Sequence, residues 1–140
     1  NQSGFRKKHS CESVLVNICD TFVKEIDKGN LVLAVFLDLR RAFETVNRDI
    51  LLNKLRRYGI QGNVLKWFNS YLSNRKQRVK YKNSTSDLLS VEYGVPQGTV
   101  LGPLLFLLYV NDVVKCVKDC QIELFADDTM IYTVGNNVEQ

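Results

Sequence analysis

From position 11 onward, apolar side chains recur at three- and four-residue spacing: Cys11, Val14, Leu15, Ile18, Cys19, Phe22, Val23 and Ile26. That stripe is the signature of an amphipathic helix. It predicts a helix over 11–28, with Ser10 as N-cap and Gly29 just past its end. The pattern then changes. Residues 31–37 read Leu-Val-Leu-Ala-Val-Phe-Leu, apolar on both faces and too short for a helix, so a buried central strand is expected, ending at Asp38. Asn47 can cap a second helix through about 58, with Asp49 in its first turn and Arg56 and Arg57 in its last, both favourable to the helix dipole. A third helix is expected over 63–72, presenting Val64, Leu65, Trp67, Phe68, Tyr71 and Leu72.

Beyond this the period shortens. Residues 75–82, Arg-Lys-Gln-Arg-Val-Lys-Tyr-Lys, read as an exposed strand, 83–86 as a turn and 88–93 as the returning strand. The loop Gly94-Val95-Pro96-Gln97-Gly98-Thr99 precedes an apolar helix over 101–114, which tolerates Pro103 in its first turn. Two apolar runs, 122–126 and 129–134, flank Asp127-Asp128 and predict a β-hairpin with two acids at its tip. With no internal repeat and no linker, the 140 residues read as a single α+β unit.

Composition narrows the class. A chain 45% hydrophobic with 2 Pro and 8 Gly is neither disordered nor collagen-like. Its longest apolar runs are too short to span a bilayer, so no membrane partner is expected. The first residue is not Met and no apolar leader segment follows it, which reads as an internal fragment or a processed product. Four cysteines lack C-x-x-C spacing and His9 stands alone, so buried or half-buried free thiols are expected rather than a zinc site or a disulfide scaffold.

The net charge of +4 hides a partition. Residues 1–39 hold five basic and five acidic side chains; residues 40–82 hold twelve Lys/Arg against Glu44 and Asp49; residues 83–140 hold Lys115 and Lys118 against eight acids. The basic middle attracts polyanions, and the acidic tail repels them unless its acids hold cations. Asp38 directly follows an apolar run, and Asp127-Asp128 joins two more. A carboxylate there needs compensation, and adjacent acids repel. A hard divalent cation relieves both penalties, and two cations can clamp the attacking and leaving oxygens of a phosphoryl transfer. Taken singly, Asp-Asp is also what a polar hairpin turn looks like, and Asp38 could simply cap the next turn.

Three segments together resemble a known family. Phe36-Leu37-Asp38-Leu39-Arg40-Arg41-Ala42-Phe43 resembles motif A of reverse transcriptases, Gly94-Val95-Pro96-Gln97-Gly98-Thr99-Val100-Leu101-Gly102-Pro103 resembles motif B, and Phe125-Ala126-Asp127-Asp128 resembles motif C. Their order and spacing match too. The opening Gln2-Ser3-Gly4-Phe5-Arg6-Lys7 is similar to the segment that precedes motif A in non-LTR retrotransposons, and the wording around motif B is similar to that of jockey-like elements.

The resemblance implies a right-hand polymerase palm with part of the fingers: an antiparallel sheet carrying the Asp-Asp hairpin, packed by helices. Residues 1–140 would be a partial domain, with finger strands before it and the rest of the palm and the thumb after it. The implied activity is RNA-directed DNA synthesis on an RNA template from a DNA primer and dNTP, with two Mg²⁺ ions (Mn²⁺ could substitute). It also implies nuclear action with a cytoplasmic ribonucleoprotein stage. Asp38 and Asp127 match the principal metal ligands, Asp128 the supporting acid, and the Leu39 carbonyl a further metal contact. Phe43 matches the steric gate beneath the incoming sugar, with Ala42, Gln97 and Gly98 beside the nucleotide. Phe125 matches the aromatic near the primer end. Bottom-up, Phe43 and Phe125 also fit as core aromatics, and Gln97 as a loop residue satisfying turn backbone. Glu44 departs from the Asp more usual in this clade.

Other readings remain at this stage. They are a decayed copy that binds nucleic acid without chemistry, a maturase-type reverse transcriptase, and an RNA-templated RNA polymerase, which the bulk of Phe43 argues against. Oligomeric state is not legible.

Overall fold

A computed structural model describes residues 2–6 and 9–137. Lys7 of the opening segment lies outside them. The chain divides into two compact units rather than one, the second inserted within the first: Asn1–Arg40 with Val110–Gln140, and Arg41–Tyr109. Neither crossing carries the Gly/Pro-rich composition that marks a linker, which is why the division was not legible.

The first unit is a helix on a three-stranded antiparallel sheet. Helix α1 (Cys11–Asp27) starts at Ser10, whose hydroxyl accepts from the Ser13 amide while the Ser13 hydroxyl accepts from the Ser10 amide, a reciprocal capping box. Strand β1 (Leu31–Leu37) has the predicted bounds but not the predicted place. The sheet order is β1-β7-β6, so β7 (Asp128–Gly135) is central and β1 is an edge, with β6 (Gln121–Phe125) on the far side. Among the described residues nothing pairs with the outer edge of β1. Leu33 is 67% and Phe36 76% exposed, against 5% for Met130 and Tyr132 in the middle strand. An apolar run on both faces reports that both faces suit burial, not that these residues supply the cover. Phe22 of α1 meets Tyr132 edge-on, ring centroids 5.2 Å apart, and the Tyr132 hydroxyl donates to Gln121 Oε1 at 2.6 Å. Burial, and secondarily the Glu123 charge, hold the Tyr132 phenol above its ordinary pKa.

The second unit is helical with a protruding hairpin. Helix α2 (Arg48–Arg57) is capped by Asn47, whose side chain accepts from the Asp49 and Ile50 amides. It packs on α3 (Gly62–Leu72). Leu51, Leu55, Leu72, Leu105 and Phe106 are buried almost completely. The predicted hairpin over 75–93 is interrupted. Strand β2 (Lys76–Gln77) pairs with β5 (Leu89–Ser90), and β3 (Lys80–Tyr81) with β4 (Ser84–Thr85). The pairing sums differ by one between the two ladders, so the returning arm carries one extra residue, a bulge. The predicted turn at 83–86 is correspondingly tighter, with β4 occupying half of it. Along the outgoing arm Lys76, Arg78, Lys80 and Lys82 alternate with other residues, and all are exposed.

Helix α4 covers Leu101–Val110, not 101–114; a 3-10 turn, Val113–Cys116, follows. All four cysteines are exposed, correcting the expectation of buried thiols. Two of them, Cys11 and Cys19, lie on a helix with no fully buried residue.

Candidate active site

The acids of the first unit are set by strand register. Strand β1 runs antiparallel to β7 through seven pairs, Leu31–Gly135 to Leu37–Thr129. The ladder ends there, and its register continued by one step would set the Asp38 backbone level with Asp128. On the other side β6 pairs with β7 down to Phe125–Asp128, which leaves Ala126 and Asp127 as a two-residue turn. Ala126 has φ 56°, and Asp127 is not among the positive-φ residues, the sign pattern of a type II′ hairpin. Glycine is usual at that first position, and an alanine there stores of order 1–3 kcal/mol of strain. Only Asp127 therefore sits at the tip. Asp128, expected beside it in the turn, is the first residue of the central strand. Sequence alone could not separate the two, because one residue of register exchanges turn for strand.

Asp38 and Asp128 are exposed and Asp127 half-buried. None of the three makes an ion pair or side-chain hydrogen bond to another described residue. Asp38 and Asp128 line one groove of about 500 Å³ with Phe36, Phe125, Phe22 and Cys19, so the acids stand at the rim of an apolar trough under α1. Leu39 follows in irregular, exposed backbone. Among the described residues no group of three or more His, Cys, Asp or Glu side chains is placed to hold a metal ion. The expected set of Asp38, Asp127 and Asp128 is thus brought to one end of the sheet but not drawn together, as mutual repulsion of uncompensated carboxylates favours. As hard oxygen donors projecting from neighbouring strand ends, they suit a divalent cation in kind.

The remaining predicted residues belong to the second unit. Ala42 is buried and Phe43 half-buried, in a run of turns at 40–44. The Phe43 ring stacks on buried Phe106, centroids 4.5 Å apart and planes 30° from parallel. Phe43 is thus a packing residue, as its reading as a core aromatic expects; the gate role rests on the family resemblance alone. Arg41 ion-pairs with Glu44, which shows what the longer acid does here. The Val95 amide donates to the Phe43 carbonyl at 2.9 Å and the Gly94 amide to Val46 at 2.8 Å, tying the loop at 94–99 to this turn. Gly94 has φ 84°, and a β-carbon on it would lie 2.8 Å from the Glu44 backbone, so only glycine fits this crossing. Thr99 staples the loop from within: its hydroxyl donates to the Pro96 carbonyl at 2.8 Å and accepts from the Gly102 amide at 3.1 Å. Gln97 and Gly98 form the exposed crest of this loop.

Sequence reasoning missed Arg48. Its guanidinium donates to three main-chain carbonyls of the segment that leads into the loop: Nη1 to Val91, Nη2 to Tyr93 and Nε to Gly94. Burial, and secondarily the Arg75 charge, lower its pKa from the ordinary value. A signal existed: a cation at the first position of a helix opposes the helix dipole, so it needs another reason to be there. We expect Arg48→Met to destabilise the protein by about 2 kcal/mol or more in denaturant titration, because three carbonyls lose one charged donor. Arg48→Lys should recover little of this, since an ammonium cannot serve three divergent acceptors as a guanidinium fork does. Full recovery by lysine would refute the fork.

Comparison with known proteins agrees with the motif pattern. The profile of the family described as "Reverse transcriptase (RNA-dependent DNA polymerase)" matches residues 1–140. A probable RNA-directed DNA polymerase from transposon BS of Drosophila melanogaster is 35% identical over 119 residues, 81% of this chain and 12% of that protein. One from transposon X-element of the same fly is 31% identical over 135 residues, 94% of this chain and 15% of that protein. The RNA-directed DNA polymerase from mobile element jockey is 27% identical over 144 residues, 98% of this chain and 16% of that protein. The chain thus spans 12% to 16% of the length of these relatives. Among the described residues no helix is long and apolar enough to cross a membrane.

Proposed function

This chain belongs to the reverse transcriptase (RNA-dependent DNA polymerase) family, and from that premise we infer that it is the catalytic part of an RNA-directed DNA polymerase of a jockey-like, non-LTR mobile element. What supports the reading is the seven-pair β1–β7 ladder, which ends at Leu37–Thr129, one residue before Asp38 and one after Asp128. On this reading the chain would be a polymerase palm with part of the fingers, which the three-stranded antiparallel sheet with its acidic hairpin supports.

The reaction is attack of a primer 3′-hydroxyl on the α-phosphate of a dNTP, with pyrophosphate leaving, templated by RNA. Asp38 and Asp127 would hold divalent cations, with Asp128 and the Leu39 carbonyl in support. When bound, two Mg²⁺ ions, or Mn²⁺, supply charge neutralisation at the attacking and leaving oxygens. The chain's own contribution is positioning. The antiparallel ladders carry the acids to one end of the sheet, where an apolar groove lies beside Asp38 and Asp128. The Phe43 ring would leave no room for a 2′-hydroxyl, and Gln97, Gly98 and Ala42 would border the nucleotide. The alternating cations Lys76, Arg78, Lys80 and Lys82 would follow the backbone of the template duplex, reading its shape rather than its sequence. In the cell such a protein would act in the nucleus after a cytoplasmic ribonucleoprotein stage.

The test is primer extension on an RNA template with dNTPs and Mg²⁺, using the parental polypeptide that contains these residues. Template-dependent cDNA is the expected product. A folded parent that binds nucleic acid and never extends a primer would make this a chain whose motifs have outlasted its chemistry.

A further inference from the structure

The opening segment is laid across the turn of the acidic hairpin. Gln2 pairs with Leu124 as an isolated parallel bridge, and the Ser3 amide donates to the Leu124 carbonyl at 2.8 Å. From there the Gln2 side chain reaches Ala126, the residue with positive φ immediately before Asp127. Gln2 Oε1 accepts from the Ala126 amide at 3.1 Å, and Gln2 Nε2 donates to the Ala126 carbonyl at 3.3 Å. The same Oε1 accepts from the Gly4 amide at 2.7 Å, so two N–H donors fix which end of the amide is oxygen. Gly4 completes the fit. A β-carbon there would stand 2.2 Å from the Ala126 nitrogen, so the segment can lie this close only with glycine at position 4. Arg6 Nη1 donates to the Gln2 carbonyl at 3.0 Å, and His9 Nδ1 lies 3.1 Å from Ser3 Oγ, anchoring the segment from behind.

We propose that Gln2 is a positioning residue for the acidic hairpin: its side-chain amide binds both backbone polar atoms of Ala126 and so holds the strained turn that presents Asp127 and Asp128. The inference rests on the reading that these acids carry the polymerase chemistry, and it adds a residue from the far end of the chain to that machinery. Glutamine suits the task because one planar group offers a donor and an acceptor at the spacing of a backbone N–H and C=O. Strand pairing cannot do this work, since Ala126 and Asp127 are the two residues the β6–β7 ladder leaves out. The Gln2 side chain makes its hydrogen bonds to Ala126 and Gly4 and to neither carboxylate.

The test compares the parental polypeptide with its Gln2→Met and Gln2→Glu variants. Two measurements are made: hydrogen exchange of the Ala126 amide, and single-nucleotide extension. Methionine keeps the bulk and loses both bonds. We expect the Ala126 amide to exchange at least tenfold faster in Gln2→Met while the Ile131 amide in the β1–β7 ladder stays protected. We expect kcat to fall by about 10- to 100-fold with KM for dNTP within about twofold, the effect of a misplaced reacting group. Glutamate keeps the acceptor and loses the donor, so Ala126 protection should largely persist in Gln2→Glu. An Ala126 amide that exchanges equally in parent and Gln2→Met overturns the clamp, whatever the activity. A loosened turn with unchanged kcat overturns the positioning role. A parent that extends normally beside an unaffected Gln2→Met variant would refute this inference alone, whereas a parent that never extends defeats the polymerase reading and the positioning role with it.

Discussion

Replacing Asp127 by Asn in the parental polypeptide is expected to abolish primer extension, by at least about 10³-fold, without unfolding the hairpin. Asparagine is isosteric with aspartate and well tolerated in tight turns, so the two-residue connection and the ladders on either side of it survive. What disappears is the negative charge at the tip, and electrostatic stabilisation at a reacting centre is commonly the largest single contribution to rate. Asp38→Asn should be as severe, because Asp38 is the acid supplied by the neighbouring strand. Asp128→Asn should be milder: it opens β7 opposite Phe125, is exposed, and matches the supporting acid. The measurement is single-turnover extension for the three variants beside the parent, with circular dichroism to establish folding. Normal extension by folded Asp127→Asn would remove this hairpin from the chemistry altogether.

Sugar selection should be the second large effect. If Phe43 is the proposed gate, Phe43→Ala would open the space a 2′-hydroxyl requires, and the dNTP over rNTP preference should fall by about 10- to 200-fold, the range one steric group commands in a pocket. The same substitution removes a ring stacked on Phe106, so it must also cost stability; a fully buried Phe→Ala change costs about 3–5 kcal/mol, and this half-buried ring should cost less. The two consequences separate with Phe43→Leu, which keeps most of the apolar contact while changing the shape beneath the sugar. If selectivity is unchanged in both variants while stability falls, Phe43 is a core residue and the gate lies elsewhere.

Much of this molecule was legible from pattern. The limits of β1, the Ser10 and Asn47 caps and the ends of α2 and α3 agree with the helical and strand periods to within a residue or two. Those features are local, decided by side chains within one turn of the residue concerned. What was not legible depends on partners distant in sequence. Leu31–Leu37 announces that it can be covered on both faces, yet its place in the sheet follows from which strand it pairs with, and that is β7, nearly a hundred residues on. The bulge in the 75–93 hairpin leaves no mark in composition, because one extra residue changes register without changing polarity. At the site, the three acids and Phe43 could be singled out by their setting in the sequence. Arg48 left only an oblique signal, a cation at a helix start, because what it holds is backbone, and main-chain carbonyls carry no sequence signature.

The two-residue turn has a consequence for how this protein can vary over evolutionary time. Strand β7 is paired on both sides, to β1 and to β6, and both ladders end within a residue or two of Ala126-Asp127. Adding or deleting one residue at the turn has no slack to absorb it. The change would either slide β7 against β6, exchanging the inward and outward faces of one strand, or drag β7 out of step with β1 as well. Amino-acid replacements at Ala126 can drift within what a strained turn accepts. Its length cannot, so lineages of this sequence should accumulate substitutions around the acids while in-frame insertions and deletions there are purged.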